Sequence, residues 1–261
     1  MSETEPVLVR EQIDAVLVLR LNRPEARNAF NPELMGELGA ALAAAEEDAG
    51  IRAVVLTGTG DRSFCAGMDL RAFAEGSGEL TPEQQEGMST FGRFTKGDVS
   101  VPVVGAANAT AVAGGFELLM GCDVVVASNE AKFGLPEVKR GLFAAGGGIV
   151  LGTRIPLAVA LEMTLTGDYI DAERAQALGL VNQVVAPDEV LSAGIALAER
   201  IARNGPLGLA ATKELVRLAV NDIDAAWAKQ AEWQPKVFGS EDAKEGATAF
   251  IEKRDPVWKG K

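Results

Sequence analysis

The chain has 261 residues, 48% of them hydrophobic, and carries a net charge of −12 with no histidine. This length suits one large domain or a core with an appendage. The acidic balance argues against nucleic acid or an anionic membrane surface as a partner, since both attract basic faces. Without imidazole, acid–base chemistry near neutral pH falls to carboxylates, Lys, Cys, the single Tyr or a metal.

The sequence gives little indication of a targeting segment, a membrane-spanning helix or a metal site. The chain opens with the polar MSETEP, which does not resemble a secretory signal. The most hydrophobic stretch, residues 101–122, includes Pro102, Asn108, Glu117 and four glycines, a mixture unsuited to a lipid-spanning helix. Two cysteines are too few for a disulfide framework or a cysteine zinc site, so they are interpreted as core residues. We expect a soluble, cytoplasmic protein without a metal.

The first half of the chain predicts alternating strands and helices. Residues 6–22 predict a β-hairpin whose polar turn lies between Glu11 and Asp14. Asn31-Pro32 then opens a helix that continues to about Asp48. Short apolar runs that precede turns and helical sequence predict buried strands, which favours an α/β core. These runs are AVVLTG (53–58), PVVGAAN (102–108), DVVVAS (123–128) and VNQVV (181–185).

Residues 75–98 are rich in Gly, Thr and Gln, which predicts a mobile lid or pocket wall.

The C-terminal part of the chain is predicted to be helical. After about residue 188 the strand pattern stops, and an all-helical tail of this kind suggests an assembly element, because amphipathic helices must bury a stripe. We therefore divide the chain into a core, 1–195, and a helical oligomerisation region, 196–261. The four predicted helices begin near Asp188, Pro206, Asn221 and Glu241.

Two turns with small residues are the first candidate site features. CAGMD (65–69) and AGGFE (113–117) each follow a predicted strand and lead into helical sequence. Small residues allow close backbone approach to a ligand, and a helix N-terminus offers free N–H donors. Either turn alone is better explained as an ordinary strand-to-helix connection. The presence of two shifts the interpretation towards function.

Two glutamates follow glycine-bearing turns. Glu117 lies in the apolar run FELLMGC, where a buried carboxylate is more plausible than a solvent-facing one. Glu137 follows Pro136, and a carboxylate that favours a helix start is a credible alternative for it. Bare N–H donors beside two carboxylates describe a site that stabilises an enolate and moves protons around it.

The strings RPEARNAF, CAGMDL, AGGFELLMGCD, KFGLPE and EKRDPVWKG, in this order, resemble the crotonase (enoyl-CoA hydratase/isomerase) superfamily from about Val7 to Lys261. The C-terminal sequence is also similar to that of carnitinyl-CoA dehydratases. The resemblance implies a spiral of ββα units, a helical C-terminal trimerisation region, and a homotrimer or a homohexamer built as a dimer of trimers. It also implies an acyl-CoA thioester substrate, with fatty acid β-oxidation as the metabolic setting.

The resemblance implies site residues through matching motifs. Glu117 and Glu137 would be catalytic, and the backbone N–H groups of Met68 and Gly114 would form the oxyanion hole. Coenzyme A would lie against a loop surface, with Phe250 and Lys253 contributed by a neighbouring subunit. The implied loop residues are Arg27, Ala29, Ala66, Asp69 and Leu70.

The sequence departs from the family pattern in the second turn and in the acyl pocket. Ala109 and Ala113 stand where glycines are usual, which narrows the allowed backbone conformations without removing an N–H. In the family pattern a proline is common after the Gly-Leu pair at this point, but the segment GLFAAGGGI has none. Residues near Ala144 and Ala145 line the acyl pocket in relatives, so acyl preference is open.

Together these features predict a hydro-lyase that adds water to trans-2-enoyl-CoA, or removes it, without a cofactor beyond substrate CoA. The alternatives are Δ3,Δ2-enoyl-CoA isomerisation, carnitinyl-CoA dehydration and an inactive acyl-CoA-binding protein. A quaternary ammonium substrate needs aromatic faces or carboxylates. Acids in a helix-like stretch more often form a solvated face, so we favour an uncharged short- or medium-chain substrate. The cationic alternative would use Phe73, Phe91, Phe94, Glu75, Glu79, Glu83 and Glu86.

Overall fold

The computed structural model describes residues 5–71 and 81–261. Strand β1 (Leu8–Ile13) and strand β2 (Val16–Leu21) form an antiparallel pair in which Leu8 lies opposite Leu21. The predicted hairpin is therefore confirmed. Its turn is tighter than predicted and centres on Asp14, whose φ of 50° is the left-handed conformation that short turns require.

A six-stranded sheet is the centre of the molecule. From β2 it continues in parallel through β3 (Ala53–Gly58), β4 (Val103–Ala107), β6 (Val124–Ser128) and β9 (Gln183–Val185). The inner strands are continuous aliphatic runs because helices cover both faces of a parallel sheet. The predicted α/β core is confirmed, although the last strand begins at Gln183 and not at residue 181.

A second, three-stranded sheet carries the turns of interest. It consists of β5 (Ala111–Val112), β7 (Lys132–Gly134) and β8 (Ile170–Asp171). Strands β5 and β7 are parallel, with Val112 opposite Gly134, so their carboxyl ends lie side by side. Each of these two strands leads within a few residues to one of the two glutamates. Strands this short leave little pattern in the sequence, and this sheet was not predicted.

Helices α1 (Pro32–Glu47) and α2 (Pro82–Lys96) pack against each other through small residues. Gly39 and Gly87 leave no room for a side chain, so the helix backbones meet directly. Thr81 and Gln84 form a capping box that begins α2. The prediction of a mobile segment at 75–98 is therefore wrong for residues 82–96, which form a packed helix. Residues 75–80 lie outside the described residues.

The remaining helices follow β5 along the chain. Helix α3 (Gly114–Gly121) is followed by α4 (Leu151–Arg154), α5 (Leu157–Thr166) and α6 (Ala172–Ala177). The predicted four-helix tail is confirmed in position. It consists of α7 (Val190–Ala202), α8 (Pro206–Asn221), α9 (Ile223–Phe238) and α10 (Glu241–Glu252).

The tail is attached to the core by packing and by charge. Helix α7 packs on the main sheet through Val190, Ala198 and Ala202, so the predicted domain boundary after residue 195 falls inside this helix and stays a prediction. Helix α8 is held by an ion cluster, in which Asp123 accepts from Lys213 at 2.7 Å and from Arg217 at 2.8 Å. No helix within residues 5–71 and 81–261 is long and apolar enough to cross a membrane.

Candidate active site

The two glycine-bearing turns meet in the structure. The Phe30 N–H donates to Gly67 O at 2.9 Å, and the Asp69 N–H donates to Phe30 O at 3.0 Å, which fixes the first turn. A Cβ on Gly67 would lie 2.9 Å from Ala113 Cβ and 3.0 Å from Gly114 N, so only glycine permits this approach. Within residues 5–71 and 81–261, no hydrogen bond uses the N–H of Met68 or Gly114 as donor. The fold thus brings these two predicted donors to neighbouring turns.

Ala113 is strained at the start of the second turn. Its φ of 53° and ψ of −134° lie in a region that residues with a Cβ rarely adopt. Such a conformation costs about 1–3 kcal/mol and persists only when the surroundings enforce it. The hydrogen bond from the Ala113 N–H to Gly134 O, at 2.9 Å, holds the residue in place. The departure from glycine therefore leaves the turn geometry intact at a local cost in strain.

Glu117 is buried and anchored. It lies on α3, only 5% exposed, and its Oε1 accepts the Gly148 N–H at 2.7 Å. A Cβ on Gly146 would lie 2.6 Å from Oε2, so glycine is needed where the loop crosses the carboxylate. Burial raises the pKa of Glu117, the Gly148 N–H opposes this rise, and the charge of Glu137 adds to it. The sequence interpretation of Glu117 as a buried acid is correct.

The surroundings of Glu137 differ from those of Glu117. It lies in a 3-10 helical turn, Pro136–Arg140, directly after the strand that pairs with β5. Its Oε2 is buried and has no hydrogen-bond partner among the described residues. Burial raises the pKa of Glu137, while its own backbone N–H and the positive charge of Arg140 oppose the rise. A buried carboxyl oxygen without a donor favours the protonated form.

Other acid–base candidates are less suitable. Cys65 and Cys122 are buried, as predicted, and burial raises the pKa of each thiol to about 12. Neither thiol therefore ionises near neutral pH. Over residues 5–71 and 81–261, no three Cys, Asp or Glu side chains are grouped so as to hold a metal ion. The pair of glutamates is the acid–base group that the fold places beside the two turns.

A cavity of about 360 Å³ opens beside Glu137. Its wall contains Ala144, close to the position where the resemblance implies an acyl pocket, and Gly148, whose N–H binds Glu117. Most of the other lining residues are aliphatic. Glu137 therefore lies in the wall of an apolar cavity, and Glu117 is hydrogen-bonded to Gly148 in the same wall.

The predicted coenzyme A residues of the loops are brought together. The Ala66 N–H donates to Arg27 O at 3.1 Å, and Asp69 is paired with Arg23 at 3.0 Å. Arg23 also donates to Ala29 O at 2.5 Å, so it links two predicted residues although the sequence analysis missed it. Its place in the string RPEARN was the available signal. The role of this surface stays a prediction.

Three further predicted residues lie at the periphery. The side chain of Leu70 is half-exposed beside the first turn. Phe250 is exposed near the end of α10, and Lys253 ends that helix in a left-handed conformation. Their predicted contact is with the site of a neighbouring copy, and it stays a prediction.

The two described aromatic residues of the cationic alternative lie in the core. Phe91 packs edge-on against Phe30, with ring centroids 5.8 Å apart, and Phe94 is fully buried in the core. Glu83 and Glu86 are exposed on α2, as expected of a solvated face. None of these four residues lines the cavity beside Glu137. Phe73, Glu75 and Glu79 lie outside the described residues.

The two neighbouring turns, the buried Glu117 and the partly buried Glu137 lie on a layered α/β core with a crotonase type of fold. The sequence matches the family model described as enoyl-CoA hydratase/isomerase over residues 11–261, and the chain belongs to this family. The predictions of a crotonase-type fold and of an enzyme are confirmed.

Individual relatives agree at the level of the family. An enoyl-CoA hydratase structure from Mycobacterium tuberculosis H37Rv is 44% identical, with a TM-score of 0.89 over 98% of this chain and 100% of that one. A Mycobacterium marinum enoyl-CoA hydratase gives the same values. A carnitinyl-CoA dehydratase from Proteus mirabilis is 37% identical over 254 residues, covering 95% of this chain and 96% of the relative. The relatives thus carry two different reaction names.

Proposed function

We propose that the protein is an enoyl-CoA hydratase that adds water to trans-2-enoyl-CoA and catalyses the reverse dehydration. One observation carries the proposal: Glu117 is buried and accepts the Gly148 N–H, whereas Glu137 is partly buried and its Oε2 has no hydrogen-bond partner among the described residues. A hydration needs one carboxylate to take a proton from water and another to give a proton to carbon. Two carboxyl groups with different surroundings suit these two tasks.

The thioester carbonyl would bind between the N–H groups of Met68 and Gly114. These donors stabilise the negative charge that develops on the oxygen as the enolate forms. Each donor of this kind contributes about a hundred- to a thousandfold in rate. The same polarisation makes Cβ electrophilic and allows Cα to accept a proton.

The proton transfers follow from the two surroundings. Glu117, ionised and held by the Gly148 N–H, takes a proton from water while the water oxygen bonds to Cβ. Glu137, protonated, gives its proton to Cα on the same face, so water adds across the double bond. Glu117 then holds the proton taken from water and Glu137 is ionised, its proton now on Cα; proton exchange through solvent resets the pair. The steps use no cofactor beyond the CoA of the substrate.

Carnitinyl-CoA dehydration is the second candidate, because the Proteus mirabilis relative of that name covers almost the whole chain. It would use the same two acids but a cationic acyl group. Isomerisation of the double bond requires only one base, and a binding protein requires neither acid. The presence of both buried glutamates favours hydration over these two alternatives.

The test is the hydration of crotonyl-CoA, followed as loss of the conjugated enone absorbance, with 3-hydroxybutyryl-CoA identified as product. We expect catalytic turnover by the purified protein. Loss of absorbance without hydrated product, or migration of a 3-enoyl double bond in the absence of hydration, would favour isomerisation. No reaction with any enoyl-CoA would refute the proposal.

We further propose that the tail forms contacts between copies in a homotrimer or homohexamer. Trp227, Phe238 and Phe250 are exposed, and large exposed aromatic side chains are typical of protein interfaces. Removal of Glu241–Lys261 is expected to weaken both oligomerisation and CoA-ester binding. Sedimentation of the intact chain as a compact monomer would contradict this proposal.

A further inference from the structure

Asn28 is buried between the two chain segments that flank the first turn. It belongs to the string RPEARNAF and is 0% exposed, the lowest value among the described buried polar residues. Its φ of 55° is left-handed, a conformation that Asn adopts more readily than most residues with a side chain. A Cβ on Gly58 would lie 2.8 Å from Asn28 Nδ2, so the amide is closely enclosed. The proposed reaction steps give this buried amide no task.

The side-chain amide of Asn28 joins the two segments. Its Oδ1 accepts the Arg23 N–H at 3.1 Å, which closes the loop that runs from residue 23 to residue 28. Its Nδ2 donates to Thr59 O at 2.9 Å and to Ser63 O at 2.8 Å, so both amide protons are used on the segment after β3. A short side chain with one acceptor and two donors is that of asparagine, since aspartate lacks the donors. The arrangement therefore requires Asn at this position.

Both segments lead directly to the first turn, residues 65–69. Ser63 precedes this turn by two residues. On the other side, the carbonyl of Arg27 accepts the Ala66 N–H at 3.1 Å, so the residue before Asn28 binds the turn itself. Loss of the Asn28 amide is therefore expected to shift the turn from both sides.

Within the turn, the Met68 N–H lies between two residues that Phe30 holds. The Phe30 N–H donates to Gly67 O at 2.9 Å, and Phe30 O accepts the Asp69 N–H at 3.0 Å. Because Phe30 follows Asn28 by two residues, the direction of the Met68 N–H depends on where Asn28 fixes this segment. Small displacements matter here, since a catalytic group about 1 Å out of place costs up to about a hundredfold in rate.

We propose that Asn28 is a positioning residue for the hydratase reaction, which directs the Met68 N–H towards the thioester oxygen by fixing both segments beside the first turn. The proposal rests on the proposed function, in which the Met68 N–H is one of the two donors that stabilise the enolate. Asn28 acts on the reaction only through the backbone. Its loss should therefore slow enolate formation more than it weakens ground-state binding.

Two variants remove different parts of the Asn28 link. Asn28→Asp keeps the acceptor for the Arg23 N–H but loses both donors, whereas Asn28→Gly removes the whole amide and adopts a φ of 55° without strain. Asn204→Asp is the matched control for the first variant, because Asn204 Nδ2 also donates to two carbonyls, at an exposed position after α7. Val190→Ala is the control for lost stability, since Val190 is buried where α7 packs on the main sheet.

Each protein is assayed for kcat and KM with crotonyl-CoA, for butyryl-CoA binding by calorimetry, and for the ionisation of bound acetoacetyl-CoA. The enolate of acetoacetyl-CoA absorbs at longer wavelength than the keto form, and its formation in the site reports how well the backbone donors stabilise an oxyanion. We expect both Asn28 variants to lower kcat by about ten- to hundredfold, because the donor is displaced and not removed. The acid dissociation constant of bound acetoacetyl-CoA should fall by a similar factor, while butyryl-CoA binding stays within a few-fold.

The controls separate positioning from general stability. Asn204→Asp and Val190→Ala should leave kcat and the ionisation of acetoacetyl-CoA as in the intact protein, even where thermal melting shows a lower Tm. If Asn28→Asp does not fold, Asn28→Gly carries the test, because it places no charge in the buried site.

Three results would overturn the proposal while leaving the hydratase function intact. They are an unchanged kcat in Asn28→Gly, a rise in KM or weaker butyryl-CoA binding without a fall in kcat, and an equal fall in kcat in Val190→Ala at the same loss of Tm. The second result would assign Asn28 to the binding of coenzyme A, and the third would assign it to stability alone. Absence of hydration by the intact protein would instead refute the proposed function, and this proposal with it.

Discussion

Glu117 and Glu137 are the same residue type in two differently built parts of one site. Glu117 lies on a regular helix, and a glycine loop delivers an N–H to it at 2.7 Å. Glu137 lies in a 3-10 turn, and its buried Oε2 has no partner among the described residues. Burial raises the pKa of both carboxyls; the Gly148 N–H opposes this rise at Glu117, and the residue's own backbone N–H and Arg140 oppose it at Glu137. The two acids therefore differ in the groups that oppose the rise in pKa, which suits different roles in proton transfer.

The largest expected effect comes from removing either acid. Glu117→Gln and Glu137→Gln should each lower kcat for crotonyl-CoA hydration by at least about a hundredfold, the usual loss for a general acid or base. Binding of saturated butyryl-CoA, measured by calorimetry, should stay within a few-fold because neither carboxylate is assigned to the CoA. If one variant keeps near-full activity, the division of roles between the two acids is wrong.

A smaller effect on activity is expected from a substitution that displaces the side chain of Glu117 but leaves the glutamate in place. The φ of Gly146 lies outside the left-handed region, but the Cβ of Gly146→Ala would lie 2.6 Å from Glu117 Oε2 and must displace it. Small misplacements of a catalytic group cost up to about a hundredfold, so we expect kcat to fall by about tenfold or more with KM changed less. Gly92→Ala, where a Cβ meets no atom within 4 Å, is the matched control. Unchanged kcat in Gly146→Ala would show that the loop does not position Glu117.

The smallest expected effect is on stability. The pKa of Glu117 is raised in the folded protein, so its protonated form stabilises the fold fully below the ordinary glutamate pKa. This contribution is lost as pH rises through the folded pKa, and at neutral pH the buried charge is a net cost. Glu117→Gln, whose amide oxygen can still accept the Gly148 N–H, should therefore raise the unfolding free energy at pH 7 by about 0.5–2 kcal/mol.

The pH dependence makes the stability prediction specific. The difference in Tm between Glu117→Gln and the intact protein should shrink as pH falls and vanish below about pH 4, near the ordinary glutamate pKa. Glu86→Gln, a change at an exposed position on α2, is the control. A pH-independent difference, or a destabilised Glu117→Gln at pH 7, would contradict the assignment of a raised pKa.

Local patterns were sufficient for much of the fold. The hairpin, α1 with its Asn31 cap and Pro32 start, and the parallel aliphatic strands are encoded by neighbouring residues, and their positions were predicted closely. The main error was α2, which was taken for a mobile segment. Its signal was present, because Thr81-Pro-Glu-Gln84 is a capping-box sequence, but the Gly- and Thr-rich composition outweighed it.

The sequence by itself determined the α/β class, the crotonase resemblance and the candidate acids, because hydrophobic period, turn chemistry and motif order are local properties of the chain. The tertiary structure decided which residues meet. Strands of two or three residues leave almost no sequence signal, yet the pairing of β5 with β7 brings together the segments that lead to Glu117 and Glu137. Other contacts likewise join residues far apart in sequence. They are the contacts of Gly146 and Gly148 with Glu117, the Arg23–Asp69 ion pair and the walls of the cavity beside Glu137. Such contacts depend on the whole chain folding, so no local pattern encodes them.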